Sequence, residues 1–340
     1  MDATTCDSID RLVAIEMRPG GGIPRGVIQP LYAAARAVQK QPLTFLAADG
    51  LRRHVGKGDR VLVVTGAGTP PWLPNGETDG PLGAAAIARA LEVGLGAKPV
   101  LLAEQRNLAP VIAAAQAAGL AVVDAELFTQ RTGCALALPL PLGGPAGQEA
   151  AEALFREHDP KAIVFVEKAG PNAKGLFHSL LGTSRTPDTM ANAHLLAERA
   201  KAQGVFTVGI GDGGNEIGCG LILDAVREIQ PFGRVSKNPE DGGIATVTTT
   251  DVLVFAAVSN WGAYGIAAAL AGLLGRLDVL HDTDTERRML ERCVEAGAMD
   301  GVEARLVPLV DGTSLGVQLG LITMLREIVS LSLRTIERGF

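Results

Sequence analysis

Short apolar runs recur along the chain, and a segment with helical spacing follows each of them. The runs are apolar at every position rather than at alternate positions, which is typical of strands buried on both faces of a sheet. Helical segments between successive strands indicate βαβ crossovers and a parallel sheet. The six predicted strands comprise residues 61–65, 99–103, 120–124, 162–166, 205–210 and 252–258.

The helical segments carry recognisable start and stop signals. Asp79-Gly80-Pro81 predicts the start of a helix that ends at about Gly94, and an Ala-rich helix is predicted over 109–118. Thr186-Pro187-Asp188 combines an N-cap residue, a proline at the first helical position and an acid in the first turn. It predicts a helix that ends near Gly204.

These elements predict an α/β fold with a largely parallel sheet of about six strands and helices on both faces. Residues 1–55 are expected to form an N-terminal helical segment that packs on the main domain. Residues 56–340 are expected to form that α/β domain, with helices at its C-terminal end. Residues 131–148 are rich in Gly and Pro, and they are predicted to form a surface connection.

Composition and charge narrow the class of protein. Hydrophobic residues make up 47% of the chain and charged residues 20%, as in ordinary globular proteins. A net charge of −6 without a basic run argues against a nucleic-acid surface. The four cysteines form no CxxC pair, so we expect reduced thiols and neither a zinc site nor a disulfide framework.

The chain is expected to be cytoplasmic and not to cross a membrane. Its acidic N-terminus lacks a signal-peptide core and an Arg-rich transit pattern. The richest apolar stretch, residues 315–325, stops at Arg326-Glu327, short of the roughly 18 residues that a membrane span needs.

Polar and Gly-rich residues cluster immediately after four of the predicted strands. Because the carboxyl ends of parallel strands meet at one edge of a sheet, these residues are expected to share one small-molecule site. The candidates are Glu77 and Asp79 after the first strand, Glu167, Lys168 and Asn172 after the fourth, Asp212, Asn215 and Glu216 after the fifth, and Ser259 and Asn260 after the sixth.

The segment from Gly209 to Gly214 satisfies the GxGxxG pattern of dinucleotide sites. However, Asp212 and Glu216 would place two carboxylates where a pyrophosphate needs backbone N–H groups, and the expected ribose-binding acid is missing. No nucleotide cofactor is therefore expected. The glycines either make a tight turn capped by Asp212, or the loop binds a ligand through the oxygens of Asp212, Asn215 and Glu216. That ligand is a polar substrate or a hard divalent cation (Mg²⁺, Mn²⁺ or Ca²⁺), with Asp212 and Glu216 as the metal ligands.

Several candidates also have an ordinary structural interpretation. Asp79 can cap the helix that starts at Pro81, whereas Glu77 lies outside that helix and is more easily explained by a site. Lys168 can be a surface partner of Glu167. His178 is the one histidine kept as a weak site candidate, and the aromatic residues Trp261 and Tyr264 fit a pocket wall and core packing equally well.

Three long motifs resemble the C-terminal domain of the D-glutamate cyclase family. They are Glu77-Thr-Asp-Gly-Pro81, Gly209-Ile-Gly-Asp-Gly-Gly-Asn-Glu-Ile-Gly218 and Val258-Ser-Asn-Trp-Gly-Ala-Tyr-Gly265. The segments Arg18–Gly26 and Val310-Asp-Gly312 fit as well, so the resemblance covers nearly the whole chain. It implies a Rossmann-like α/β fold and the dehydrating cyclisation of D-glutamate to 5-oxo-D-proline, a lyase reaction.

That reaction assigns hypothetical roles to the candidates. Asp212 and Glu216 would hold a cation that acts as a Lewis acid. Glu77, Glu167 or Lys168 would be the base, with the three left unranked. The residues expected to bind the small anionic substrate, an amino acid, are Asp79, Asn172, Asn215, Ser259 and Asn260.

Two rival functions stay open. Eukaryotic members of the family carry a second domain, and these 340 residues do not include it. If that domain performs the cyclisation, the chain is a binding or regulatory module that pairs with a catalytic chain. The other rival is a nucleotide-dependent oxidoreductase that uses the Gly209 loop. A homo-oligomer is compatible with the sequence, which does not determine the oligomeric state.

Overall fold

The computed structural model describes residues 2–19, 24–68, 70–186 and 190–334. Its strands are, in chain order, β1 (Arg60–Val64), β2 (Lys98–Glu104), β3 (Ala121–Val123), β4 (Cys134–Leu140), β5 (Ala162–Val166), β6 (Phe177–His178), β7 (Ser184–Arg185), β8 (Phe206–Gly211), β9 (Val252–Phe255), β10 (Leu309–Val310) and β11 (Thr313–Ser314). Its α-helices are α1 (Ala3–Val13), α2 (Ile28–Gln39), α3 (Leu43–His54), α4 (Pro81–Leu95), α5 (Leu108–Ala117), α6 (Ala125–Gln130), α7 (Gly144–His158), α8 (His194–Gln203), α9 (Leu223–Ile229), α10 (Ser259–Leu274), α11 (Thr283–Glu295) and α12 (Leu315–Ser332).

A seven-stranded sheet lies at the centre, in the order β3-β4-β2-β1-β5-β8-β9. Every neighbouring pair in it is parallel, which confirms the predicted α/β fold. From β1 the chain moves outward to β2, β3 and β4, and then returns to β5 on the other side of β1. The strand order therefore reverses between β1 and β5, and sheets of this kind bind ligands at the carboxyl ends of such a pair.

Both faces of the sheet are covered, as the continuous apolar runs predicted. In β1, Val61 and Val63 belong to a large core that includes residues of α3, α4 and α10. The alternate residues, Leu62 and Val64, belong to a second core with residues of α7 and α8. All four cysteines are free and buried, in agreement with the expected reduced thiols.

One strand lies where the sequence predicted a surface connection. β4 occupies part of 131–148 and inserts between β3 and β2, with Leu136 opposite Val100. The prediction of a loop was wrong because the Gly and Pro residues around the strand outweighed its apolar run, residues 134–138. The strand includes Pro139, a residue that lacks the N–H for the sheet ladder and is usually found at strand edges and bulges.

The N-terminal helices share the larger core with the sheet. Ile9 of α1, Leu31 of α2 and Leu51 of α3 are fully buried in it. α3 contacts α10 and β9, and α1 contacts α10 and α12. Asp10 ties α1 to the start of α3, because its carboxylate accepts hydrogen bonds from the backbone N–H groups of Leu43 and Thr44.

Helix boundaries agree with the sequence signals in one case and differ in another. α4 begins at Pro81 and ends at Leu95, and the next residue, Gly96, adopts a left-handed conformation with φ of 67°. α8 begins at His194, later than the Thr186-Pro187-Asp188 signal predicted, and it ends before Gly204 as expected. Pro187 and Asp188 lie outside the described residues.

Among the described helices, α12 is long and apolar enough to cross a membrane by length and composition. The sequence analysis predicted that no stretch is long and apolar enough to span a membrane, and by these criteria that prediction was wrong. The criteria are weak evidence for a span, because core helices of soluble proteins meet them as well. α12 packs against α1, α10 and α11, and its Arg326 donates hydrogen bonds to the backbone oxygens of Leu280 and His281.

Candidate functional site

A cavity of about 390 Å³ opens at the carboxyl edge of the sheet, beside the ends of β1, β5 and β8. The loops after these strands supply Glu77, Glu167 and Asp212 to its wall. Asn215 and Glu216 line it too, so five of the predicted site residues face one cavity. Its wall also includes the apolar residues Leu73, Leu180 and Met190, and Trp72, which is 77% exposed.

Asp79 and Asn260 cap each other's helices behind this cavity. The Asp79 carboxylate accepts hydrogen bonds from the backbone N–H groups of Ser259 at 2.9 Å and Asn260 at 2.8 Å, at the start of α10. The Asn260 amide oxygen accepts from the backbone N–H groups of Gly80 at 2.9 Å and Gly83 at 2.7 Å, at the start of α4. Asp79 therefore caps α10, whereas the sequence suggested that it caps α4.

This arrangement changes the expected role of the α10 N-terminus. Ser259 and Asn260 were predicted to offer N–H donors to a substrate carboxylate, but Asp79 already accepts from both. The Asn260 side-chain nitrogen is also occupied, because it donates to the backbone oxygen of Thr78 at 3.0 Å. The Ser259 hydroxyl instead donates to the Glu167 carboxylate at 2.5 Å.

Glu167 and Lys168 point in different directions after β5. Glu167 adopts a left-handed backbone conformation, with φ of 48°, and its side chain lines the cavity. A residue with a side chain rarely adopts that conformation without a compensating constraint. Lys168 is fully buried, and its ammonium group donates to Glu104 at 2.5 Å and to the backbone oxygen of Gly66 at 3.1 Å. Lys168 is thus part of an ion pair beside the site and does not line the cavity.

Three carboxylates meet closely enough to share a metal ion. Asp79, Glu167 and Asp212 each have an oxygen atom within 4.8 Å of the others. The sequence predicted Asp212 with Glu216 as the metal ligands. The Glu216 carboxylate instead accepts hydrogen bonds from the backbone N–H groups of Gly213 at 3.0 Å and Gly214 at 2.7 Å. Glu216 thus stabilises its own loop and is not a member of the group of three. The Asp79 carboxylate also accepts backbone N–H groups, but it has an oxygen within 4.8 Å of those of Glu167 and Asp212.

Burial and mutual repulsion raise the pKa values of these carboxyl groups. Burial and the charges of Asp79 and Asp212 raise the pKa of Glu77 to about 8. Burial and Asp212 raise the pKa of Asp79 and that of Glu216 to about 7 each. The pKa of Glu167 is also raised well above its ordinary value, mainly by burial and by Asp212. A bound cation would relieve this repulsion.

Arg18 places a positive charge beside two carboxylates of the cavity wall. Its guanidinium lies 2.6 Å from the Asp212 carboxylate and 3.9 Å from that of Asp311, and all three residues line the cavity. Lys174 does not line the cavity, and its ammonium group donates to the backbone oxygen of Glu240. The one sequence signal for Arg18 was its place in the Arg18–Gly26 segment, which lies far along the chain from every predicted strand.

The remaining candidates divide between the cavity and the scaffold. Asn172 does not line the cavity. Its amide donates to the backbone oxygens of Asp241 at 2.8 Å and Gly243 at 2.9 Å. His178 does line it. Trp261 donates to Gln318 at 2.7 Å, and Tyr264 donates to Glu286 at 3.0 Å, so both belong to the buried core.

The backbone hydrogen bonds of the Gly209 loop are relevant to the alternative that this loop binds a dinucleotide. A pyrophosphate at this loop would need free backbone N–H groups. The N–H groups of Gly213 and Gly214 both donate to the Glu216 carboxylate, which lies where the phosphate oxygens would have to be. This geometry disfavours the oxidoreductase interpretation.

One similar solved structure is a crystal structure of an O-ureido-L-serine synthase mutant with O-ureido-L-serine bound. The likeness covers 71% of this chain and 72% of that chain, at 12% sequence identity and a TM-score of 0.17. A TM-score this low supports no statement about fold or function.

Human mitochondrial D-glutamate cyclase is 33% identical to this chain over 221 residues. The aligned region is 62% of this chain and 32% of that protein, so the match spans about a third of the relative's length. The D-glutamate cyclase-like, C-terminal family model matches residues 24–326, a range that includes the cavity loops after β1, β5 and β8. The chain belongs to the D-glutamate cyclase-like C-terminal family.

Proposed function

We propose that this chain is a D-glutamate cyclase-like lyase that closes an anionic amino acid into a lactam with loss of water. The observation that carries the proposal is the group of three carboxylates, Asp79, Glu167 and Asp212, at the strand-order reversal. Glu167 and Asp212 line the cavity, and Asp79 lies directly behind them. Membership of the family supports the reaction class. The relative named a D-glutamate cyclase matches over only 32% of its length, so the activity itself is part of the proposal.

The proposed chemistry needs an electrophile and a base. The ammonium group of D-glutamate loses one proton to the base, and its nitrogen attacks the γ-carboxylate carbon. A second N–H proton is lost as the C–N bond forms. Both protons are delivered to one oxygen of that carboxylate, whose C–O bond breaks as water leaves. A γ-carboxylate is a poor electrophile because its charge repels the nitrogen lone pair. A Mg²⁺ or Mn²⁺ ion held by Asp79, Glu167 and Asp212 would neutralise that charge, and oxygen ligands without His or Cys suit such hard cations.

Glu77 is the best placed of the three candidate bases. It lines the cavity and lies outside the group of three carboxylates. Glu167 is held by the Ser259 hydroxyl at 2.5 Å and belongs to that group, whereas Lys168 is paired with Glu104 at 2.5 Å. Proton transfer requires a group that can reach the substrate, and Lys168 does not line the cavity.

Turnover by the purified chain alone tests the proposal. Chelator-treated protein is incubated with D-glutamate and with L-glutamate, with and without added Mg²⁺ or Mn²⁺, and 5-oxoproline is measured by chiral chromatography. We expect 5-oxo-D-proline to form in the presence of the cation. The Glu77→Gln variant should lower the rate by about 100-fold or more, as expected for loss of a general base. Absence of product under all conditions would contradict the proposal.

The second candidate is a non-catalytic binding module, and the span of the match favours it specifically. Two thirds of the curated relative lie outside the aligned region and are available to carry the catalytic step. A module would bind D-glutamate without forming product. Calorimetry on the same samples distinguishes the two candidates, because binding without turnover supports the module.

A further inference from the structure

The Arg18 side chain is buried at the cavity wall, and two of its nitrogen atoms have no hydrogen-bond acceptor among the described residues. It is 3% exposed, and its Nη2 atom lies 2.6 Å from the Asp212 carboxylate. Its Nε and Nη1 atoms are buried and have no hydrogen-bond partner among the described residues. Leaving buried donors of a charged group without acceptors is unfavourable, so such groups usually have a ligand or an ordered water as a partner.

Asn215, on the loop after β8, has a buried acceptor atom without a hydrogen-bond donor in the described part of the chain. Its side-chain nitrogen donates to the backbone oxygen of His178 at 3.0 Å, which fixes the orientation of the amide. Its Oδ1 atom is buried, and it too lacks a hydrogen-bond partner among the residues that the structure describes. Asn215 lines the same cavity as Arg18, only three residues after Asp212, the carboxylate that Arg18 contacts. The cavity wall thus offers an unpaired cationic donor and an unpaired neutral acceptor.

Arg18 lies just before the range that the family model matches. The family match begins at residue 24, and Arg18 reaches the cavity from the N-terminal side of it. A guanidinium repels a bound cation, so Arg18 is placed to bind an anionic group of a ligand. A guanidinium with free N–H groups beside a cation site is suited to bind a carboxylate that bridges the two positive centres.

We propose that Arg18 binds a carboxylate of the ligand and that the Asn215 amide oxygen accepts a hydrogen bond from its amine or ammonium group. The ligand class is then an amino acid, recognised at both of its charged groups. The choice of a glutamate-like amino acid rests on the function proposed above, whereas the carboxylate contact rests on Arg18 itself.

The test is calorimetric binding in the presence of Mg²⁺, with four probes that differ by one group. The probes are D-glutamate, glutarate (no amine), D-glutamine (no γ-carboxylate) and 4-aminobutyrate (no α-carboxylate). Arg18→Gln should weaken D-glutamate binding by about 10- to 100-fold, as expected for hydrogen bonds to a charged group. D-glutamine and 4-aminobutyrate each have a single carboxylate. Arg18→Gln should leave nearly unchanged the affinity for whichever of these two probes lacks the carboxylate that Arg18 binds.

Asn215→Ala supplies the second part of the test. It should weaken D-glutamate binding by about tenfold and leave glutarate binding unchanged, because glutarate has no amine to donate. Arg53→Gln is the matched control, since Arg53 is 66% exposed and pairs with Asp49 at a distance from the cavity. It should change no affinity. If Arg18→Gln does not fold, Arg18→Lys keeps the charge and should show the same selectivity with a smaller loss.

The outcomes separate this inference from the proposed function. Binding of D-glutamate without turnover would remove the cyclase function and leave the Arg18 assignment standing. The assignment is overturned if Arg18→Gln weakens all four probes equally, which indicates a purely structural role, or if it weakens none. It is also overturned if the wild-type chain binds none of the four probes.

Discussion

Two acidic side chains of the loop after β8, Asp212 and Glu216, are held in different ways. Glu216 accepts hydrogen bonds from two backbone N–H groups and from the Cys219 thiol at 3.4 Å. Asp212 faces Asp79 and Glu167 and has Arg18 as its ion-pair partner. The two residues look equivalent in the sequence, but only Asp212 is placed to bind a cation together with other carboxylates.

Asp212→Asn is therefore expected to weaken Mn²⁺ binding by at least tenfold, because it removes one charged oxygen ligand from the group of three. Glu216→Gln is the matched comparison, and it should change Mn²⁺ affinity by less than about threefold while lowering stability by about 1–3 kcal/mol through the lost loop hydrogen bonds. Calorimetry and circular dichroism on both variants give the two readouts. Equal loss of Mn²⁺ affinity in the two variants would contradict the assignment.

His194 gives a prediction about pH and stability. Burial lowers its pKa from 6.5 to about 4, so the folded protein favours the neutral imidazole. The unfolded chain binds the proton more tightly, so this contribution to stability is fully present above pH 6.5 and is lost as the pH falls toward 4. Because the ring is partly exposed, we expect acidification to lower the free energy of unfolding by about 1–2 kcal/mol through His194, which is less than the full pKa shift implies.

Urea unfolding of the wild-type chain and of His194→Leu at pH 7 and pH 4.5 measures this effect. The variant cannot gain a proton at this position, so its stability relative to wild type should rise by about 1 kcal/mol or more on acidification. A constant difference between the two proteins across this pH range would show that His194 does not titrate as described.

At the scale of elements, the reciprocal caps fix α4 and α10 to each other at the site. The side chain of Asn260 makes three hydrogen bonds, to Gly80, Gly83 and Thr78. Asn260→Ala should destabilise the protein by about 1–3 kcal/mol, through loss of a helix cap and of a buried hydrogen-bond donor. Asn238→Ala, at an exposed position, is the control and should have little effect on the urea midpoint.

The Glu104–Lys168 ion pair joins the end of β2 to the end of β5, and it supports the segment that positions Glu167. Both side chains are almost fully buried. Lys168→Met should destabilise the fold by about 3–5 kcal/mol, because it leaves the Glu104 carboxylate buried and unpaired. The double variant Glu104→Gln and Lys168→Met should recover part of that loss in urea unfolding. If Lys168 were instead the base, the double variant would recover stability without recovering turnover.

At the scale of the whole molecule, the sequence predicted the sheet well, because each strand buried on both faces leaves a continuous apolar run. β4 was missed because Gly133, Pro139 and Pro141 resemble loop residues when the neighbouring strands are unknown. The carboxylates of the site were predicted because they directly follow strands. Arg18 could not be predicted in this way, since its contact with Asp212 depends on how the N-terminal segment packs.

The division of roles among the carboxylates was the least predictable part of the site. Asp79 looked like the cap of the next helix in the chain, but α10 starts beside α4 in space, and Asp79 caps α10. Lys168 and Asn172 looked like site residues because they follow β5, yet partners distant in the sequence bind their side chains: Glu104 for Lys168, and Asp241 and Gly243 for Asn172. Position after a strand places a residue near the site without determining which way its side chain points.

Crystals grown with saturating Mn²⁺ test the central claim most directly, by the anomalous scattering of the metal. The structure predicts a peak bound by oxygens of Asp79, Glu167 and Asp212, with metal–oxygen distances of about 2.0–2.4 Å. Asp212→Asn crystals grown under the same conditions should show a weaker peak or none. A peak that is absent from the wild-type cavity, or that lies on Glu216 and not on these three carboxylates, would contradict the claim.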